Sequence, residues 1–523
     1  MARFSGARGG FIVTNWKTAA SAVALGICLA PATAQAQSLE DVLARLERLE
    51  QENRQLRQEV DSLKGAAPIS AAPAPVATST ADTEPSATPI RNVEAPTPEN
   101  DRALAAVELN SGLFVSRASD VSYRMLDPTT HTSRKPLMLL DARRQGDLRD
   151  GGVYLGGAIT ALANYQETNR NSKFGYLMRH PTSANQIGET ASEAVLHSAQ
   201  LSVTANVTPW ITAYAELLYD PEQSFGAGTI TAVGRNQMQL RKGYVMFGDL
   251  EASPYYAAIG KMEAPFGLMD TVSPFTASTV WHAFGGLAWG ALAGYSKDGL
   301  NIALEAVQGG SQFRSLATSV EGTNVPSRLN NFVADANYTF DLGGEGRDLM
   351  AGASYVHGSA YCHGFPVVHF NACVDDNPAY AVYGQLHYDR WTANAEFAKT
   401  LEEWPGTFNP TPPLNQFAAS KVSSWGVGAR YAAELAGQEV HLSTEFSTYV
   451  AGPKGSPWRR QDQLVFGLAA FPASHVKLFS EVVLVEGYVP LNFLSGGNLG
   501  PGVSWSEADG KTQVLLVGAN VAF

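Results

Sequence analysis

Residues 199–219 read Ala199-Gln200-Leu201-Ser202-Val203-Thr204-Ala205-Asn206-Val207-Thr208-Pro209-Trp210-Ile211-Thr212-Ala213-Tyr214-Ala215-Glu216-Leu217-Leu218-Tyr219. Apolar residues hold every second position up to Val207. Thr208-Pro209-Trp210 interrupts as a tight turn, and Ile211, Ala213, Ala215, Leu217 and Tyr219 resume the apolar set. The other parity is polar: Gln200, Ser202, Thr204 and Asn206, then Thr212, Tyr214 and Glu216. Side chains of a strand alternate between faces, so this is a hairpin with one apolar and one polar face.

The pattern repeats from about residue 151 to the end. Short connections fall near 208–210, 249–254, 297–299, 341–348, 389–390, 434–438 and 472–475, with longer polar, Gly/Pro-rich stretches between them. Seven short turns alternating with eight long loops predict an all-β fold: a transmembrane antiparallel β-barrel of about 16 strands over 151–523. A barrel of that size leaves a lumen wide enough for water. The last strand alternates as Leu515, Val517, Ala519, Val521 and Phe523, and its terminal Phe523 resembles the assembly signal read by the barrel-assembly machinery.

The residues ahead of the barrel divide into four parts. Residues 1–36 read as a secretory signal: Arg3, Arg8 and Lys17, an apolar run from Ala19 to Ala30, then Ala34-Gln35-Ala36. Residues 37–64 carry Leu39, Val42, Leu46, Leu49, Asn53, Leu56, Val60 and Leu63 at alternating spacings of 3 and 4, the seam of a periplasmic coiled coil. That seam, Leu39–Leu63, is a candidate contact for a homo-oligomer. Residues 65–105 form a Pro/Ala-rich linker. Residues 106–150 are ambiguous: a strand, a plug inside the barrel or an element outside it.

Composition fits this reading. The chain has 49 Gly, 10% aromatic and only 16% charged residues. Its mean hydropathy of −0.10 does not argue against membrane strands, because their lumen faces are polar. No stretch after residue 36 approaches the ~18 apolar residues of a membrane-spanning helix. Loss of the leader's three basic residues takes the formal charge from −12 to −15, which excludes a basic nucleic-acid footprint. The expected partner is outer-membrane lipid.

A narrower clue lies in Leu240-Arg241-Lys242-Gly243-Tyr244-Val245-Met246-Phe247-Gly248, Ile259-Gly260-Lys261, Ala264-Pro265-Phe266-Gly267 and Ser273-Pro274-Phe275-Thr276. Over about 240–310 this resembles the siderophore-uptake porin family of outer-membrane proteins, which also carries a periplasmic coiled coil. Phosphate-selective porins share the Pro-Phe-Gly neighbourhood. The resemblance implies passive or ligand-facilitated uptake, with iron–siderophore complexes as candidate solutes. A phosphate path would want a ladder of Arg and Lys.

No catalytic, cofactor or metal motif stands out. Gly-x-Ser-x-Gly and His-Glu-x-x-His are absent, and the spacings of His357, His363 and His369 suit a polar loop rather than a metal site. Cys362 and Cys373 remain after leader removal and are expected to pair as a disulfide in that loop. The apolar stretch 263–284, with Pro265, Phe266, Asp270, Pro274, Phe275 and Trp281, is a candidate constriction loop; packing on the outer rim or a neighbouring subunit is the alternative. Glu216, Glu305, Glu396, Glu445 and Glu481 each fall about six residues after a short turn on the polar parity, with Lys261 at the matching place on another strand. They are expected to line a pore that prefers cations. The functional expectation is a porin-like channel; the alternatives are a barrel anchor whose coil tethers the membrane to the cell wall, and a phosphate-type anion porin.

Overall fold

The computed structural model describes residues 107–108, 114–117, 119–169, 189–219, 238–308, 328–344, 346–362, 375–487 and 510–523. All lie in one compact unit, Ala95–Phe523. The expected leader, coiled coil and linker lie outside the described residues, as does Cys373.

Two short strands, β1 (Val107–Glu108) and β2 (Phe114–Arg117), precede the barrel. The barrel strands are β3 (Gly152–Thr168), β4 (Thr190–Thr208), β5 (Ile211–Tyr219), β6 (Met238–Gly248), β7 (Tyr255–Glu263) and β8 (Leu287–Lys297). They continue as β9 (Leu300–Gln308), β10 (Leu329–Asp341), β11 (Arg347–Val356), β12 (Ala379–Tyr388) and β13 (Trp391–Thr400). The circuit ends with β14 (Ser423–Leu435), β15 (Gln438–Val450), β16 (Arg460–Ala473), β17 (Val476–Gly487) and β18 (Lys511–Ala522). Each pairs antiparallel with the next, and β18 returns to β3, closing a 16-strand barrel. The hairpin turns fall where the alternation breaks. Asp298 and Gly299 both take positive φ, 51° and 83°, the turn whose twist matches its flanking strands.

The two faces are sorted as a lipid-crossing barrel requires. On β4, Leu201 and Val203 are 51% and 40% exposed, while Ser202 and Thr204 between them are buried. Aromatics cluster near the short-turn end of the outer face, among them Trp210, Tyr255, Tyr388 and Trp391, all exposed. No helix among the described residues is long and apolar enough to cross a membrane.

The seam is closed twice. Phe523 exchanges both backbone hydrogen bonds with Gly157, and a Cβ on Gly157 would sit 2.4 Å from the Phe523 ring. Below that point β18 has ended, and β2 takes over the free edge of β3, pairing parallel from Phe114↔Gly152 to Arg117↔Leu155.

Residues 119–150, left open by the sequence, pack inside the barrel. They form α1 (Ser119–Leu126), a single 3-10 turn (Thr132–Arg134) and α2 (Lys135–Arg144), with Pro136 in the first turn of α2 where a missing N–H costs nothing. Val121, Met125, Leu139 and Leu140 bury against four inward tyrosines, Tyr154, Tyr214, Tyr244 and Tyr256, from β3, β5, β6 and β7. Each such ring buries roughly 150–250 Å², which fixes the helices to one side of the lumen.

Candidate functional site: the lumen

The connection between β7 and β8 also turns inward. The Ala264 N–H bonds to the Gly286 carbonyl at its neck, and the chain between them crosses to the opposite wall. There three glutamates receive it. Glu396 on β13 accepts the Leu268 and Met269 N–H groups at 2.8 and 3.1 Å. Glu445 on β15 accepts the Thr271 hydroxyl at 2.6 Å and the Val272 N–H at 2.9 Å. Glu481 on β17 accepts the Phe275 and Thr276 N–H groups at 2.7 and 3.0 Å, and the Thr276 hydroxyl. A loop carries backbone donors that cannot be buried unpaired, and these carboxyl oxygens accept them.

The neighbouring strands leave room for it. Glu396, Glu445 and Glu481 stand opposite Gly426, Gly428 and Gly467 in the sheet register. A Cβ on Gly428 would lie 2.5 Å from Val272, and one on Gly467 would lie 2.4 Å from Pro274. The loop ends in a short helix, α3 (Thr279–Phe284), capped by the Ser278 hydroxyl. The Thr279 N–H bonds to Ser447 at 3.0 Å, and its hydroxyl meets Ser424 at 3.0 Å.

The loop and the N-terminal segment touch in mid-lumen. The Thr271 N–H bonds to the Thr129 carbonyl, and Ser133 donates to the Gly267 carbonyl at 2.7 Å. Asp270 accepts the Thr132 N–H at 2.8 Å and lies 3.5 Å from Arg134. Beside this contact lie two adjoining hollows, of about 680 and 710 Å³, which share Pro128, Arg241 and Trp281. Their charged lining is Lys135, Arg241, Lys242 and Lys477 against Asp127 and Glu263. Part of this charge is paired: Lys242 bridges Glu216 at 3.1 Å and Glu263 at 2.5 Å, and Arg241 reaches Glu216 at 3.2 Å. Lys477 stands 3.8 Å from Asp127. Burial would raise the Asp127 carboxyl, but Lys477 and Lys135 outweigh it and hold Asp127 below the ordinary carboxylate range.

Of the residues expected to line the pore, all six are buried. Glu216 is committed to Arg241 and Lys242, and Glu396, Glu445 and Glu481 to the loop. Neither Glu305 oxygen has a hydrogen-bond partner among the described residues, and Glu305 is fully buried. The Lys261 ammonium donates to the Leu240 carbonyl at 3.2 Å, apart from the glutamates. Three of the glutamates expected to line the pore, Glu396, Glu445 and Glu481, thus accept the loop's buried N–H groups, which need acceptors. Of the candidate constriction residues, Pro265, Phe266, Asp270 and Phe275 are buried and Pro274 and Trp281 half-buried, all inside the barrel. Cys362 takes part in a disulfide whose other half lies outside the described residues. The sequence reading passed over Asp127, Lys135 and the glycines opposite the glutamates; the Asp127-Pro128-Thr129 turn was the available signal.

No family model matches the chain. In sequence it is similar to a UPF0422 protein of Coxiella burnetii, 24% identical over 259 residues, which are 46% of this chain and 51% of that one. The match thus spans about half the length of that relative. Among solved structures it is similar to the anion-selective porin from Comamonas acidovorans, with TM-score 0.43 and 12% identity over 71% of this chain and 99% of that one. It is also similar to Pseudomonas putida OprB, with TM-score 0.43 and 9% identity over 75% and 96%. Salmonella typhi OmpF in complex with daunomycin gives TM-score 0.41 and 12% identity over 71% and 97%.

Proposed function

We propose that the chain is an outer-membrane, porin-type channel whose lumen is narrowed by residues 119–150 and 264–286, and whose remaining path favours anions. The observation that carries this is the lining of the two hollows: four cationic side chains and two carboxylates. Rings of Lys and Arg favour anions as rings of Asp and Glu favour cations. The exposed apolar outer belt supports placement in a bilayer. The reading departs from the cation preference expected of the glutamates, three of which bond the loop and one of which pairs with Arg241 and Lys242. Uptake of iron–siderophore complexes, which the sequence resemblance implies, draws no support from a lumen filled on both sides. The competing reading, a barrel that only anchors a tether, predicts no solute path.

The test is a planar-bilayer recording of the purified full chain across a KCl gradient. Small-conductance channels with an anion-selective reversal potential are expected, shifting toward neutrality in Lys477→Gln. A cation-selective channel removes the anion assignment, and a membrane-inserted barrel without conductance removes the channel itself.

A further inference from the structure

We propose that the two hollows form a binding site for small carboxylates with an aromatic body. This rests on the porin reading only for its place in the lumen. The wall of the second hollow is aromatic and fixed: Phe275 and Phe479 stack with centroids 5.2 Å apart and planes 8° from parallel, and His197 meets the Phe275 ring edge-on at 4.9 Å. Phe275 cannot drift, because its N–H is bonded to Glu481.

A cation stands beside that wall. Lys477, Phe479 and Glu481 occupy alternate positions of β17 and so share its inner face. One pleat repeat, about 7 Å along the strand, separates the ammonium-bearing residue from the ring-bearing one. Lys477 faces Asp127 at 3.8 Å, too long for a hydrogen bond to occupy its donors. Arg241 and Trp281, which line both hollows, repeat the combination of cation and ring. Guanidinium binds carboxylate through two parallel bonds, and aryl faces pair with other rings at an offset.

The apolar part of the lining decides between anion classes. Inorganic phosphate would use the cations and the hydroxyl and amide groups of the lining and gain nothing from Pro128, Phe275, Phe479 and Trp281. Acetate would use the cations and leave the rings idle. An aryl carboxylate satisfies both the cations and the rings.

Calorimetric titration of the full chain in detergent with benzoate, acetate and inorganic phosphate reads this directly, whether or not the barrel conducts. Benzoate should bind at least about tenfold more tightly than acetate, the combined effect of an aromatic contact and lost water. Phe479→Leu, which keeps an apolar side chain, should reduce the benzoate preference several-fold and leave acetate unchanged. Lys477→Gln should weaken both, with Lys477→Arg restoring them. Equal binding of benzoate and acetate, or a preference that survives Phe479→Leu, overturns the site. Anion-selective conductance with no benzoate preference removes this proposal alone; benzoate binding to a silent barrel removes only the channel.

Discussion

Single residues carry the lumen's design. A glutamate on one strand and a glycine opposite it form the unit that receives the inward loop, used at Glu445 and Gly428 and at Glu481 and Gly467. The glutamates were legible in the sequence, since polar parity placed them inward. Their partners were not, because the N–H groups they bind lie 127 to 206 positions away and backbone donors leave no mark in the sequence. Glu481→Gln should leave at least one loop donor without an acceptor. The expected cost is about 1–3 kcal/mol, seen as a lower thermal midpoint in detergent and noisier single-channel current; unchanged traces and midpoint would contradict the assignment. Gly467→Val should act from the other side, pushing Pro274 away, with an overpacking cost of about 1–3 kcal/mol. At the surface, Cys362 is expected to pair with Cys373, a loop closure contributing about 3 kcal/mol in the chain-entropy account. Alkylation before and after reduction tests this, and two thiols reacting without reductant would refute the pairing.

At the level of elements, the strands were the readable part. Alternation and turn residues located the hairpins because each strand answers to two fixed surroundings, lipid outside and lumen inside. The segment 119–150 answers to neither. Its helices are short, and their apolar residues match the inward tyrosines Tyr154, Tyr214, Tyr244 and Tyr256, which the sequence counts as polar-parity positions. That double meaning of tyrosine hid the plug. Asp127 ties the segment to the wall through Lys477, while Lys135 holds it from within the segment. Its folded-state pKa is depressed, so its contribution to docking is present above the ordinary carboxylate range and is lost as pH falls through the folded value. Conductance should therefore rise on acidification below that range, and Asp127→Asn should show the acid behaviour at neutral pH. A variant that titrates like the wild type would exclude Asp127 as the tie.

For the whole molecule, strand count and closure followed from periodicity, whereas charge did not translate into selectivity. Five inward glutamates suggested a cation path, yet what matters is which charges remain once the interior is filled. A net charge of −12 describes solubility and surface field, not the lumen. The heptad seam Leu39–Leu63 predicts self-association, with three copies as the expected number and two the alternative that Asn53 permits. Light scattering of the full chain in detergent should give an oligomer that dissociates when Leu46, Leu49 and Leu56 are changed to Ser. A monomer in the unaltered protein would exclude the coil as an assembly device.

The parallel rungs between β2 and β3 bear on mechanics. Phe114 to Arg117 runs alongside Gly152 to Leu155 in the same direction, so tension applied at Phe114 along β2 would act parallel to β3. Hydrogen bonds loaded this way share the force and must slide together, whereas bonds peeled from one end break singly. A pull along β2 would thus be borne by the wall of the barrel before it reaches α1 and the packed helices within.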